Sequence, residues 1–239
     1  WLLERSTLQV DDGRTRAAAT QLNQFHLAGY LDEAVTPFDY LQQVIELLPV
    51  SIVAGAKGVY PLPWRLDAIA TDAVEALEAG PRFTRESMVE YADADIANEI
   101  RIEYSFDAEA DEYRSNLAIT GDATDGTDPA IFSTVYSRIS QSRYGKRSKV
   151  ITADLVYSTA TAAAILKWQA RAFGFPSRTV DYSVDLSLGW LERGDVVTLT
   201  DPELAFTSQV CMVRAMRWND RALSLTLTII EDPIRDAKL

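Results

Sequence analysis

One cysteine, Cys211, and one histidine, His26, occur in 239 residues. With a single thiol no intrachain disulfide can form, so the fold must be held by burial, which suits assembly in a reducing cell interior. With a single imidazole, a serine-hydrolase triad has only His26 as base, within Phe25-His26-Leu27, and no serine sits in a Gly-x-Ser-x-Gly elbow. A packed or half-exposed structural histidine is the plainer reading. Glycine-rich phosphate loops and dinucleotide fingerprints are absent too. Apolar residues make up 47% of the chain, enough to fill a core, but they come in short clusters broken by charges. No run approaches the roughly 20 residues of a membrane-spanning helix. The first residue is Trp1, without an initiator Met or a basic-then-apolar leader, so the chain reads as a piece of something longer. Positive charge is scarce: 23 Lys and Arg against 35 Asp and Glu give a formal −12. That balance opposes wrapping by nucleic acid, whose affinity comes from basic groups that release condensed counterions.

What is present alternates between helix and strand signals. Thr36-Pro37-Phe38-Asp39 is a helix start, with Thr36 as cap, Pro37 at the first helical position and Asp39 favourable to the N-terminus. Phe38, Leu41, Val44, Ile45 and Leu48 recur at helical spacing, and Pro49 ends the helix. Val50–Ala54 and Val59–Trp64 flank Gly55-Ala56-Lys57-Gly58, a hairpin whose Pro61 and Pro63 belong at a sheet edge. Ile100, Ile102, Tyr104 and Phe106 alternate with Glu99, Arg101, Glu103 and Ser105, a half-buried antiparallel strand. Tyr113–Ile119 is its partner across the acidic link Asp107–Glu112. Gly121–Pro129 is a turn-rich loop. Ser148–Thr152 predicts a strand and Ser158–Phe173 a helix, with Ala160, Ala164, Ile165, Trp168 and Ala172 on or near one face. Gly174 and Pro176 stop that helix, and Thr179–Leu186 is again a strand. Strand, helix, strand over this length fits a βαβ unit. Strands then follow at Asp195–Thr200, Gln209–Trp218 and Ala222–Ile230, the last two joined by a tight turn at Asn219-Asp220. Three strands cannot close a barrel, so these need partners elsewhere in the chain or beyond it.

Candidate sites are weak. Paired carboxylates for glycoside hydrolysis could be drawn from Glu99 with Glu103, Asp93 with Asp95, or Asp11 with Asp12, but among 35 acids such pairs are inevitable and a solvated face is the default. Asp122, Asp125 and Asp128 could gather oxygen ligands for calcium, yet their spacing fails the EF-hand template. Arg138, Arg143, Lys146, Arg147 and Lys149, interleaved with Tyr136 and Tyr144, form the one basic cluster. It suits phosphate or base stacking, or, more plainly, exposed charges that anchor an acidic neighbour. The expectation is therefore no catalytic, cofactor-binding or metal-ligating residue, no cofactor and no enzymatic activity.

Ser140-Gln141-Ser142-Arg143-Tyr144-Gly145-Lys146-Arg147, the alanine-rich helix Thr159–Ala172, Phe175-Pro176, and Leu191-Glu192-Arg193-Gly194-Asp195-Val196-Val197 together resemble the baseplate hub and tail tip attachment proteins of tailed bacteriophages, a family also found in gene transfer agents. The resemblance is best over 140–232 and weaker at Leu47–Val50 and Gly58–Tyr60. It implies a structural virion protein that joins the tail tube to the distal tip and receptor-binding apparatus, located at the tail tip after synthesis in the bacterial cytoplasm. It also implies a homotrimer whose barrel-like domains form a ring. Its partners would be the tail tube or distal tail protein, the tape measure and the tip fibre, with DNA passing through a channel without specific binding and with no membrane span. A negative surface would suit such passage, since like charges repel over about a Debye length, ~8–10 Å. Two readings from other classes stay open: a carbohydrate-active hydrolase using paired carboxylates, and a non-viral binding module of the same folds. The expected fold is α+β, with a helix-hairpin domain at 1–80, an α+β domain at 81–187 that contains the antiparallel strands and the strand-helix-strand element, and a β-barrel portion at 188–239.

Overall fold

Chain order and spatial order part company in this protein. The computed structural model describes residues 9–28, 37–55, 57–80, 83–90, 96–121, 131–218 and 223–230. In chain order they form α1 (Asp12–Gln21), α2 (Pro37–Leu47), β1 (Val50–Gly55), β2 (Gly58–Pro63), β3 (Glu75–Glu78), β4 (Phe83–Glu90), β5 (Glu99–Asp107), β6 (Glu112–Ile119), β7 (Ile131–Phe132), α3 (Val135–Tyr144), β8 (Ser148–Ala153), α4 (Thr159–Phe173), β9 (Arg178–Val184), β10 (Val196–Asp201), β11 (Phe206–Trp218) and β12 (Leu223–Ile229). The mix is α+β, as the patterning implies. Contacts divide the chain into two units: Trp1–Trp64 with Ala97–Gly174, and Arg65–Ile96 with Phe175–Leu239. The three consecutive segments expected, 1–80, 81–187 and 188–239, cut across this division. The reason is strand pairing: β3 and β4 hydrogen-bond to β10 and β9, far along the chain.

In the first unit, Asp11 caps α1 by accepting the Arg14 backbone N–H at 3.2 Å, satisfying one of the donors a helix start leaves open. Helix α2 begins at Pro37 as predicted; Thr36 and the Phe38 and Asp39 side chains lie outside the described residues. Strands β1 and β2 make the expected hairpin, with Gly55 opposite Gly58. Gly58 has φ +127°, and a Cβ there would stand 2.3 Å from the carbonyl oxygen of Gln9. Only glycine lets the segment before α1 run this close along the edge of β2, where Val59 N–H donates to Gln9 O at 2.8 Å.

A four-stranded sheet follows, in the order β7-β6-β5-β8. Strands β5 and β6 pair antiparallel, Ile100 opposite Ile119 and Ile102 opposite Leu117, and β8 lies parallel to β5. The alternation read from the sequence holds, with Ile100, Ile102 and Tyr104 buried. Helix α4 covers this face with Ala162, Ile165, Leu166 and Ala170, all fully buried. The face expected from the sequence is thus corrected: of Ala160, Ala164, Ile165, Trp168 and Ala172 only Ile165 is buried, and Ala160 is exposed. Thr159–Ala164 is so uniformly small that it carries little periodic contrast, and Leu166 fixes the rotation. Trp168 sits at the margin, its ring edge-on to Trp64 and Phe173, each at 5.8 Å.

The second expectation to be corrected is the βαβ unit. Strand, helix and strand occur in that order, but β8 belongs to the four-stranded sheet and β9 to a different one. Gly174 and the Phe175-Pro176 step lead the chain out of the first unit, so no crossover closes.

In the second unit β3-β10-β11-β12-β9-β4 form one six-stranded sheet. The C-terminal strands therefore find their partners inside this chain. Strand β12 buries every second residue, Leu223, Leu225, Leu227 and Ile229, against Val180, Tyr182, Val197, Leu199 and Val213. Register shifts on β10, β11 and β4 bend the strands, and the short link from β3 to β4, the two edge strands, carries one isolated antiparallel bridge, Gly80 opposite Phe83.

Candidate assembly surfaces

The inner face of the curled sheet holds a polar cluster. Asp201, 2% exposed, ends β10 and accepts from the Tyr182 hydroxyl of β9 at 2.7 Å, from the Glu203 backbone N–H at 3.0 Å and from Arg85 Nη1 of β4 at 3.2 Å. The other arm of that guanidinium, Nη2, donates to Glu203 at 2.6 Å. Tyr182 stacks on Phe83 with ring centroids 4.3 Å apart. Burial, with the adjacent Asp201 carboxylate, raises the phenol far above its ordinary value. The tyrosine therefore stays a neutral donor. These interactions fix the curvature of the sheet.

On the outer face Asp181 ties three strands together, accepting from Thr226 of β12 at 2.5 Å and Ser87 of β4 at 2.7 Å. These hydrogen bonds, Thr226 first, with Arg217 nearby, hold the carboxyl below its usual range.

One end of the same unit is apolar and wet. Leu186, Trp190 and Trp218 are large exposed side chains. The Trp218 ring lies on Gly189, where an added Cβ would meet its Cη2 atom at 2.3 Å. Gly194 N–H donates to Val213 O at 2.8 Å, and Val213 N–H to Asp195 O at 2.9 Å. The loop from Leu186 to Asp195 thus runs beside the second half of β11, bringing Glu192, Arg193 and Asp195 alongside Val213 and Arg214.

The residues singled out from the sequence fare differently. His26 is exposed, and its backbone N–H donates to Thr161. Glu99 is engaged by Lys146 at 3.6 Å and by the Ser148 hydroxyl, and Glu103 by Arg101 at 3.4 Å. Asp11 is a helix cap beside Asp12. Asp93, Asp95, Asp122, Asp125 and Asp128 lie outside the described residues. The basic cluster is split by element: Arg138 and Arg143 on α3, Lys149 on β8 with its ammonium 4.8 Å from the Phe173 ring centroid, while Arg171 of α4 stands over the Tyr136 ring at 5.1 Å. Among the described residues no three His, Cys, Asp or Glu are gathered as for a metal ion, and no helix is long and apolar enough to cross a membrane.

The Tyr-Gly step has a structural cause. Gly145 caps α3 with φ 70° and ψ −179°, a conformation essentially reserved for glycine. Buried Asn98 secures it by donating to Gly145 O at 2.9 Å and to Ser140 Oγ at 2.9 Å, while accepting from Arg147 N–H at 2.8 Å. Sequence reasoning missed Asn98, Arg85, Asp201 and the Trp190–Trp218 end. For the last, two tryptophans in otherwise polar loop and strand ends were the available signal.

Comparison with known proteins gives the following likenesses. The chain aligns over 97% of its length with part of a virion of a native gene transfer agent particle, at TM-score 0.50 and 16% identity, covering 49% of that chain. Prophage tail protein gp18 of Listeria monocytogenes EGD-e gives 0.45 at 13% identity, over 84% of this chain and 54% of that one. The 43 kDa tail protein of prophage MuSo2 from Shewanella oneidensis gives 0.47 at 12% identity, over 94% and 70%. The chain thus spans about half the length of the first two. No curated protein matches the sequence. Residues 65–219, more than half of the chain, match the Phage-tail_3 family, described as "Putative phage tail protein", and the chain belongs to this phage tail family.

Proposed function

We propose that this chain is a segment of a tail tip hub, a structural part and not an enzyme, which joins the tail tube to the distal tip and receptor-binding apparatus and leaves a channel for DNA. The observation that carries the reading is the six-stranded sheet of a phage tail family member, curled so far that Arg85 and Asp201, on strands four positions apart, form an ion pair. Such a unit is a stiff block, and a ring of blocks closes only when the rotation between neighbours is fixed. In the intact protein three copies surround the tail axis, in contact with the tube or distal tail protein, the tape measure and the tip fibre. The formal −12 charge keeps passing DNA from adhering.

Gold labelling of a tagged copy on purified particles tests the placement. Label at the distal end of the tail, on particles that lose the tip when the gene is deleted, is the expected result. Label along the tube or on the capsid overturns it. The hydrolase alternative is tested by a glycan panel with Glu99→Gln and Glu103→Gln, and the hub reading expects no turnover by the unaltered protein.

A further inference from the structure

Strand β8 ends the four-stranded sheet beside β5, and its first half is bare. Gly145–Val150 are six successive exposed residues, with Val150 at 61%. Neighbouring strand residues point to opposite faces, so Ser148, Lys149 and Val150 in a row leave both faces of the strand open. Among the described residues no strand pairs with the outer edge of β8, and outside the β5 ladder none makes a backbone hydrogen bond to residues 148–152. Such a row of free N–H and C=O groups is a template for a further strand.

Charge selects what can be added. Lys149 stands opposite Ile100 and Val150 opposite Arg101 in the register. A lysine on an edge bars an apolar strand, but it favours one that sets a carboxylate beside it. From 138 to 149 there are five bases and no acid. The acids around them are engaged: Lys146 holds Glu99, Arg101 holds Glu103, and Glu46 of α2 acts on Lys149. Asp154, past the far end of β8, accepts from Tyr113. Arg14, Arg65, Arg85, Arg101 and Arg114 each have an acid partner. Exposed Arg138, Arg143 and Arg147 have none among the described residues, on a chain with 35 acids. We infer that the edge of β8 receives an extended segment of a partner protein as a fifth strand. Its acidic residues meet Lys149 and the arginines that precede β8, and alternate with apolar residues beside Val150. A long nucleic acid is a poorer occupant, since beyond this patch it meets a chain of like charge. The inference goes beyond the hub reading and does not rest on it.

Fluorescence anisotropy with a labelled alternating Glu-Val octapeptide tests it on the unaltered protein. Saturable binding is expected, at least about tenfold tighter than for a Lys-Val octapeptide or a DNA oligonucleotide of equal charge. Two further peptides are N-methylated at odd or at even residues, which keeps the charge and removes one set of N–H donors. One of them should bind at least about tenfold more weakly than the other. Amides within 148–152 should exchange more slowly in the complex than in the free protein. Arg143→Glu with Arg147→Glu should weaken binding by at least about tenfold, and the peptide series stands without that variant. Absence of saturable binding overturns the proposal, as does equal binding of the two methylated peptides. Tighter binding of the oligonucleotide overturns it and assigns the patch to phosphate. Uniformly slow exchange of 148–152 in the free protein also overturns it, because the edge is then covered by this chain itself. Gold labelling at the tail tip is independent of all these outcomes.

Discussion

Arg85 and Asp201 form an ion pair at 3.2 Å although their strands, β4 and β10, are four positions apart in the sheet. In a flat sheet four strand spacings amount to about 19 Å. The pair therefore measures the curl of the sheet and also holds it, because the carboxylate side chain is only 3% exposed while the guanidinium, at 27%, spans two acids. Truncating Arg85→Ala leaves Asp201 buried with one partner fewer. A loss of about 1–3 kcal/mol is expected, and Arg85→Lys should recover part of it, since an ammonium cannot fork to both Asp201 and Glu203. Urea denaturation of the three proteins checks the order wild type, Lys, Ala.

Asp181 predicts a pH dependence. Its folded carboxyl titrates below the ordinary value of 3.8, so between the folded and unfolded values the unfolded chain binds more protons. The stabilisation from Thr226 and Ser87 is therefore fully present above about pH 4–5 and is lost as pH falls through the folded value. In Asp181→Asn that component of the acid-side loss should be missing. Thermal melts from pH 7 down to pH 3 compare the two, and parallel curves would remove Asp181 from the account.

Gly145 allows a test of the turn that links α3 to β8. Its backbone conformation strains any other residue by about 1–3 kcal/mol, although a Cβ there would meet nothing within 4 Å. Gly145→Ala should thus destabilise the unit that contains it without a packing clash. Asn98→Ala, which removes the bonds that hold the turn, should do so as well, and the double variant should lose less than the sum of the two.

Cys211 should be inert in the native state. Burial pushes its thiol up to about 12, which leaves almost no thiolate at neutral pH. Reaction with a thiol reagent should proceed only at the rate of unfolding, and an immediate stoichiometric reaction of native protein would contradict the packing of β11.

Much of this was legible in the sequence where patterning is strong. The alternation of β5 placed Ile100 and Ile102 inside, Ala222–Ile230 was read as a strand where β12 lies, and the glycines flanking 56–57 placed the β1–β2 hairpin. What sequence could not supply was long-range pairing. Nothing local in Glu75–Glu78 or Phe83–Glu90 says that these strands border β10 and β9, and so the interleaving of the two contact units along the chain had no signal in the sequence. The rotation of α4 failed for a different reason, since a run of small residues has no preferred face until a sheet selects one. The Arg85–Asp201 pair spans 116 positions and is visible only after the sheet has curled.

A three-dimensional reconstruction of the intact tail tip is the most direct test of the hub reading. It should show three copies of the chain about the tail axis, with the curled six-stranded units arranged as a ring around an open passage of predominantly negative potential. Copies positioned off the axis, or a passage lined by positive potential, would contradict it.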